Sequence, residues 1–265
     1  MEKYNVKFKK KFGQNFLKDN SIVERLVNDV NILPNSLVIE VGPGGAILTK
    51  QLSNVAKNVL AYEIDYDLKD ELKKKLINNQ NVDIVFSDFL TRDIVNDVKR
   101  YEYNHIYFVS NVPYYITTPI VMKLIDSKIK FDNIVMMVQK EVADRFSSSI
   151  CSKNYGSITV FLNYYFDIKS LLFVSRQEFI PVPNVDSEII SLKRKEKLLA
   201  VKKFDVFEKL VKDSFQFKRK NIKNNLKNYN LEIIDKILSE NNLSLSSRAE
   251  EISVEIFVKI ANAIA

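Results

Sequence analysis

Up to residue 166, short apolar runs alternate with amphipathic stretches of helical period. The runs at 37–41, 59–64, 83–86, 106–110, 133–138 and 158–166 predict strands. Apolar positions spaced for one face of a helix predict helices at 22–30, 46–54, 68–78, 118–127 and 140–147. Strands separated by helix-length segments point to βαβ units, hence an α/β domain with a mostly parallel sheet. After Leu192 the pattern is helical only, at 204–217, 231–240 and 253–264. The change of period places a domain boundary near residue 195, giving an α/β domain over 1–195 and a small all-α domain over 196–265.

Composition removes several classes. The chain has 265 residues, 46% hydrophobic and 28% charged, which is ordinary for a globular protein of one or two domains. Cys151 is the only cysteine and His105 the only histidine, so an internal disulfide and a Cys/His zinc site are both excluded. No metal is expected, and a reducing compartment such as the cytoplasm fits. No apolar run reaches the ~18 residues that a membrane helix needs. The lysine-rich N-terminus has no apolar stretch behind it and does not read as a secretory signal.

Charge is unevenly spread. The formal net charge is +7, yet residues 193–227 alone carry 13 Lys/Arg against four acids, and the first 18 residues carry six lysines against Glu2. The remainder is net acidic. Such clustering is the electrostatic footprint of a polyanion, either nucleic acid or an anionic membrane. The plainer alternative is a solvated lysine-rich surface in a chain generally rich in Lys, Asn and Ile.

Three of the five glycines stand together in Glu40-Val41-Gly42-Pro43-Gly44-Gly45, between a predicted strand and a predicted helix. Open α/β sheets bind nucleotide-like ligands at that position. A dinucleotide fingerprint needs glycine at 47, where the chain has Ile47, and a Walker A loop needs Lys-Ser/Thr where it has Ala46-Ile47. The remaining pattern, acid-x-Gly-x-Gly-Gly, resembles motif I of the S-adenosylmethionine-dependent methyltransferases; a purely structural turn stays open. Glu63 closes the next strand, 21 residues beyond Gly42, where a carboxylate would accept ribose hydroxyls. Asp88 follows the third strand, placed to accept an adenine amino group.

The fourth strand runs into Asn111-Val112-Pro113-Tyr114, which resembles the Asn/Asp-x-Pro-aromatic motif of methyltransferases acting on planar amino nitrogens. An exocyclic amine is a poor nucleophile because its lone pair is delocalised into the ring. The Asn111 side-chain oxygen and a neighbouring carbonyl can accept its two N–H groups and favour positive charge developing on nitrogen. Pro113 fixes φ, and Tyr114 offers a face on which an extruded base can stack.

With these motifs in order, the chain resembles the small-subunit rRNA adenine N6,N6-dimethyltransferases of the KsgA type. The resemblance begins at Lys11-Phe12-Gly13-Gln14-Asn15-Phe16-Leu17 and runs through the glycine turn and Asn111–Tyr114. It continues in Gln139-Lys140-Glu141-Val142-Ala143 and Phe179-Ile180-Pro181-Val182-Pro183-Asn184-Val185-Asp186-Ser187, ending in Phe217-Lys218-Arg219-Lys220-Asn221-Ile222-Lys223-Asn224-Asn225-Leu226. It implies a Rossmann-like class I methyltransferase domain with a mostly parallel seven-stranded sheet, plus a small helical C-terminal domain. It further implies S-adenosyl-L-methionine as cofactor, held by Asn15, Leu17, Gly42, Glu63, Asp88 and Asn111. Tyr114 and Phe179 would sandwich the target adenine, although the residues around Phe179 read equally well as a core contact. Lys218, Arg219, Lys220 and Lys223 would hold RNA phosphates.

The implied activity is dimethylation of two adjacent adenines in a 3′-terminal hairpin of small-subunit rRNA, by a monomer acting on a pre-30S particle in the cytoplasm, with no membrane partner. Val185-Asp186-Ser187 and the basic stretch favour this branch over the related 23S rRNA dimethyltransferases. Other readings compete. A DNA adenine methyltransferase would share the Asn-x-Pro-Tyr chemistry, and assays on both polymers separate the two. A non-enzymatic ribosome-assembly factor would not need Glu63, Asp88 and Asn111 together. Ile47 disfavours an NAD oxidoreductase. His105 and Cys151 read as structural, having no catalytic partner pattern.

Overall fold

The structure, a computed structural model, describes residues 16–265. It opens with a two-residue strand, β1 (Phe16–Leu17), and helix α1 (Asn20–Val30). Alternating strands and helices follow: β2 (Ser36–Val41), α2 (Ile47–Val55), β3 (Asn58–Glu63), α3 (Lys69–Lys75), β4 (Val82–Phe86), α4 (Ile94–Val98), β5 (His105–Asn111), α5 (Thr117–Asp126), β6 (Asn133–Gln139) and α6 (Lys140–Phe146). Then come α7 (Ser157–Tyr165), β7 (Phe166–Val174), β8 (Phe179–Ile180) and β9 (Ser187–Arg194). The chain finishes in α8 (Phe204–Ser214), α9 (Ile222–Asn225), α10 (Leu231–Ser239) and α11 (Val254–Ile264).

Seven strands form one sheet in the order β4-β3-β2-β5-β6-β9-β7, as the family resemblance implies. Pairs among β2 to β6 are parallel, and β9 runs antiparallel to β6. Central strands of a parallel sheet are covered on both faces and so read as continuous apolar runs. β2 is buried at every position, and β5 and β6 at all but their ends. That is why the five strands expected before residue 140 form within a residue or so of the expected bounds. A separate two-stranded sheet pairs β1 with β8 antiparallel, setting Leu17 opposite Phe179.

The run at 158–166, expected as a strand, is helix α7 instead. Its Ile-Thr-Val-Phe sequence favours strands locally, but Thr159, Val160, Phe161, Leu162 and Tyr164 are all buried, so the segment is apolar nearly all round. A short run of that kind is indistinguishable from a buried strand by period. Gly156 sits at the helix N-cap and its N–H donates to the Thr159 hydroxyl at 3.2 Å. The sequence does not predict β7 and β9: β7 is buried only at its two end residues, with polar Asp167, Lys169 and Ser170 interrupting the apolar pattern.

The chain divides into two units. One extends to Ala143 and resumes over Lys169–Arg194; the other comprises Asp144–Ile168 and Lys195–Ala265. The helical unit therefore takes in a segment that the expected division at 195 leaves with the sheet. The reason is packing: Val160, Phe161 and Tyr164 of α7 complete a core with Phe207, Leu210, Ile234 and Phe257. Among the described residues no helix is long and apolar enough to cross a membrane.

Phe207 is fully buried, edge-on to Phe161 at 6.0 Å and tilted against Tyr164 at 5.2 Å. Phe207→Ala should destabilise the helical unit by about 3–5 kcal/mol, read as a lower denaturant midpoint. A loss below about 1 kcal/mol would mean that the helices collapse onto the cavity.

Candidate active site

The parallel register sets the C-terminal ends of the strands along one edge. Val41 pairs with Tyr62, Glu63 with Phe86 and Ile39 with Phe108. From β2 the chain moves outward to β3 and β4, then returns to place β5 on the other side of β2. Where strand order reverses, the connections diverge and leave a crevice at the carboxyl ends. A pocket of about 1280 Å³, its open mouth included, lies there. Gly42, Glu63, Asp88, Asn111, Tyr114 and Leu17 all line it.

The glycine turn shapes one wall. Gly42 has φ +77°, a left-handed conformation that glycine adopts without penalty, and a Cβ there would meet nothing within 4 Å. Its N–H donates to the Tyr62 carbonyl at 2.8 Å. The Gly44 N–H donates to Glu63 Oε2 at 3.2 Å, while Glu63 Oε1 accepts the Asp65 N–H at 2.8 Å. Glu63 thus ties the turn leaving β2 to the end of β3, a role that the sequence did not suggest.

Acids dominate the polar lining. Glu40 is 1% exposed, its Oε2 has no hydrogen-bond partner, and burial pushes its carboxyl up to about 8. Burial also raises Glu63, against the pull of the Asp65 and Gly44 N–H groups. Asp88 caps the turn after β4, accepting the Leu90 N–H at 2.8 Å. Among the described residues that line the pocket there is no Lys, Arg or His. A pocket of this kind suits a cationic ligand or one rich in hydrogen-bond donors, and opposes phosphates. These acceptors fit the hydroxyl, amino and sulfonium groups of S-adenosylmethionine.

Next to β2 in the sheet, β5 ends at Asn111, which pairs with Met137 of β6. Pro113, at φ −57°, precedes the turn that holds Tyr114. The Tyr114 hydroxyl lies 2.6 Å from the Ser187 hydroxyl of β9, and burial raises its phenol pKa. Tyr115 is 58% exposed at the rim of the same pocket.

The other expected residues fall elsewhere. Phe179 is fully buried in the cluster that joins α1, α2 and the sheet, and it is not among the described residues that line the pocket. Pairing with β1 turns this side chain into the core. Asn15 lies outside the described residues, as does most of the N-terminal basic segment. Lys218, Arg219, Lys220 and Lys223 are exposed in the helical unit, around the connection from α8 to α9. His105 sits at the opposite end of β5, with Nδ1 3.3 Å from Asp132. Cys151 is exposed, and the described residues contain no metal-holding group of His, Cys, Asp and Glu.

Two further residues of the site, Glu40 and Ser187, lie within the sequence motifs but are not among the residues those motifs assign to the site. An acid directly before the glycine turn was a usable signal for Glu40. Nothing in spacing links Ser187 to Tyr114, 73 residues earlier.

Residues 5–265 match the profile of a family described as ribosomal RNA adenine dimethylase. Over 273 aligned residues the chain is 41% identical to ribosomal RNA small subunit methyltransferase A of Streptococcus thermophilus, covering all of this chain and 94% of that one. The protein of the same name from Bacillus licheniformis is 38% identical, covering 99% and 93%. Among solved structures, the 23S rRNA methyltransferase ErmE superposes with a TM-score of 0.73 at 27% identity, covering 94% of this chain and 99% of that one. A dimethyladenosine transferase from Plasmodium falciparum gives 0.77 at 25% identity, covering 92% and 95%. With a full-length family match on a seven-stranded sheet whose acidic pocket suits S-adenosylmethionine, the chain belongs to the ribosomal RNA adenine dimethylases, methyltransferases that use this cofactor.

Proposed function

We propose that this chain, as a cytoplasmic monomer, dimethylates N6 of two adjacent adenines in a 3′-terminal hairpin of small-subunit rRNA within a pre-30S particle. The observation that carries the reading is that Asn111 and Tyr114 share one pocket with Gly42, Glu63 and Asp88. The small-subunit choice is supported by relatives of that name at 38–41% identity, against 27% for the 23S enzyme. When bound, S-adenosylmethionine supplies an electrophilic methyl group on a sulfonium.

Gly42 leaves room for the cofactor against the turn, Leu17 adds an apolar contact, and Glu63 and Asp88 accept its hydroxyl and amino hydrogens. The Asn111 side-chain oxygen and a carbonyl of the Val112-Pro113 segment accept the two N–H groups of the target amine, which directs its lone pair into the pocket. Tyr114, its hydroxyl beside Ser187, stacks on the base. No base is required before attack, because the amine proton becomes acidic only once nitrogen is alkylated. Lys218, Arg219, Lys220 and Lys223 bind phosphates and position the RNA.

Unmethylated 30S particles incubated with the protein and labelled cofactor should give primer-extension stops at two adjacent adenines near the 3′ end. With 50S particles treated in parallel, stops in the large-subunit rRNA and none in the 30S particles would sink the small-subunit assignment. Asn111→Ala should lower methyl transfer on the order of 10²-fold with cofactor affinity only modestly weaker, because these acceptor bonds strengthen as charge develops. Turnover within a few-fold of wild type would remove Asn111 from this role.

Glu40 reports on the acidity of the pocket. Its folded-state pKa of about 8 lies above the ordinary 4.5, so the folded state holds a proton that the unfolded state releases between those values. Stability of the cofactor-free protein therefore falls as pH rises from about 5 to 8. Glu40→Gln should flatten that fall and leave the variant more stable than wild type at pH 8. Parallel pH profiles for the two proteins would contradict the raised pKa.

Replacing Lys218, Arg219 and Lys220 together by Ala should weaken rRNA binding and lower the slope of log K against log salt by about 0.7–0.9 per lost contact. Affinity for S-adenosylmethionine should not change. An unaltered slope with intact circular dichroism would move the RNA surface elsewhere.

A further inference from the structure

The connection between α8 and α9 pairs an exposed aromatic ring with a run of cations. Phe217 is 58% exposed and is followed by Lys218, Arg219 and Lys220, all exposed. Phe215, two residues earlier, shows what an ordinary phenylalanine does here: its ring packs at 6.1 Å against both Tyr155 and Phe257. Phe217 stands outside that core.

The backbone beneath the ring is held by a buried side chain. Asn225 of α9, 9% exposed, accepts the Phe217 N–H on Oδ1 at 3.1 Å. Its Nδ2 donates to the Ser214 carbonyl at 2.8 Å and to the Phe217 carbonyl at 3.3 Å, with the Lys220 carbonyl at 3.4 Å. The Phe217 carbonyl also accepts the Lys220 N–H at 2.8 Å. Lys218 Nζ donates to the Lys153 carbonyl in the same unit. Both backbone polar groups of Phe217 are thus fixed, and only the two side-chain torsions remain to be ordered on binding. Such preorganisation lowers the cost of association.

A flat apolar face set among cations is complementary to an unpaired nucleobase, whose π-face stacks on the ring while its phosphates meet the lysines and arginine. Paired bases inside a duplex present no such face. We propose that Phe217 is a stacking platform for an unpaired RNA base, so that the 216–220 loop selects single-stranded or extruded nucleotides as well as binding phosphates. The proposal rests on the RNA-binding reading of the same loop.

The chain contains no tryptophan, so Phe217→Trp places a lone indole reporter at the platform. Its emission should be quenched by a single-stranded oligoribonucleotide and much less by a duplex of equal length. Phe217→Ala and Phe217→Leu should each weaken binding to protein-free small-subunit rRNA about tenfold, with the salt slope of wild type because no phosphate contact is lost. Phe217→Tyr should bind as wild type. Wild-type affinity for the Leu variant, or equal quenching by the duplex, overturns stacking. A loss seen on 30S particles but absent on protein-free rRNA means that the ring meets protein, and overturns it too. If the wild-type protein shows no salt-dependent rRNA binding at all, the RNA reading of the loop fails first, independently of Phe217.

Discussion

The parallel pairing of β2 with β5 is the constraint on which the site depends. The strands on either side of this pair run outward in opposite directions through the sheet, so the connections leaving their carboxyl ends part and cannot fill the space above. The glycine turn after β2 and Asn111 at the end of β5 consequently face one crevice. Glu63 and Asp88 join them because β3 and β4 continue the same register. Moving any of these strands by one residue would send its side chains to the opposite face and dismantle the lining.

Within that crevice electrostatics and tethering divide the work. Lysine, arginine and histidine are absent from the described lining, and two buried acids hold raised pKa values. Burial opposes ionisation of these acids, so each costs the cofactor-free fold stability once it gives up its proton. Glu63 holds the glycine turn through the Gly44 N–H, so the carboxylate read as a ligand contact is also part of the wall. Tyr114 is likewise tied across the sheet to Ser187.

The helical unit solves a different problem. Its core of Phe, Tyr, Leu and Ile side chains releases the polar residues to the surface, and α7, drawn from the middle of the chain, completes it. Around Asn225 a buried amide takes over the hydrogen bonds that a tight basic loop would otherwise leave to water. Dense cations repel one another and favour an extended, mobile loop; the Asn225 bonds oppose this and keep the loop in one shape.

Sequence alone determined whatever depends on neighbours within a few residues. The βαβ order, the five early strands, the glycine turn with acids after the next two strands, and the Asn-x-Pro-Tyr end of β5 are written in short-range spacing. Tertiary structure decided what depends on partners far along the chain. The segment at 158–166 carries strand propensity and became α7, because a core of helices could bury it on nearly every side. Phe179 reads from its surroundings either as a base-stacking residue or as a core contact, and its burial opposite Leu17 of β1 is set by a segment more than 150 residues earlier. The hydroxyl pair of Tyr114 and Ser187 spans 73 residues. Propensity and spacing act locally, whereas burial and hydrogen-bond partners are settled only when distant segments meet.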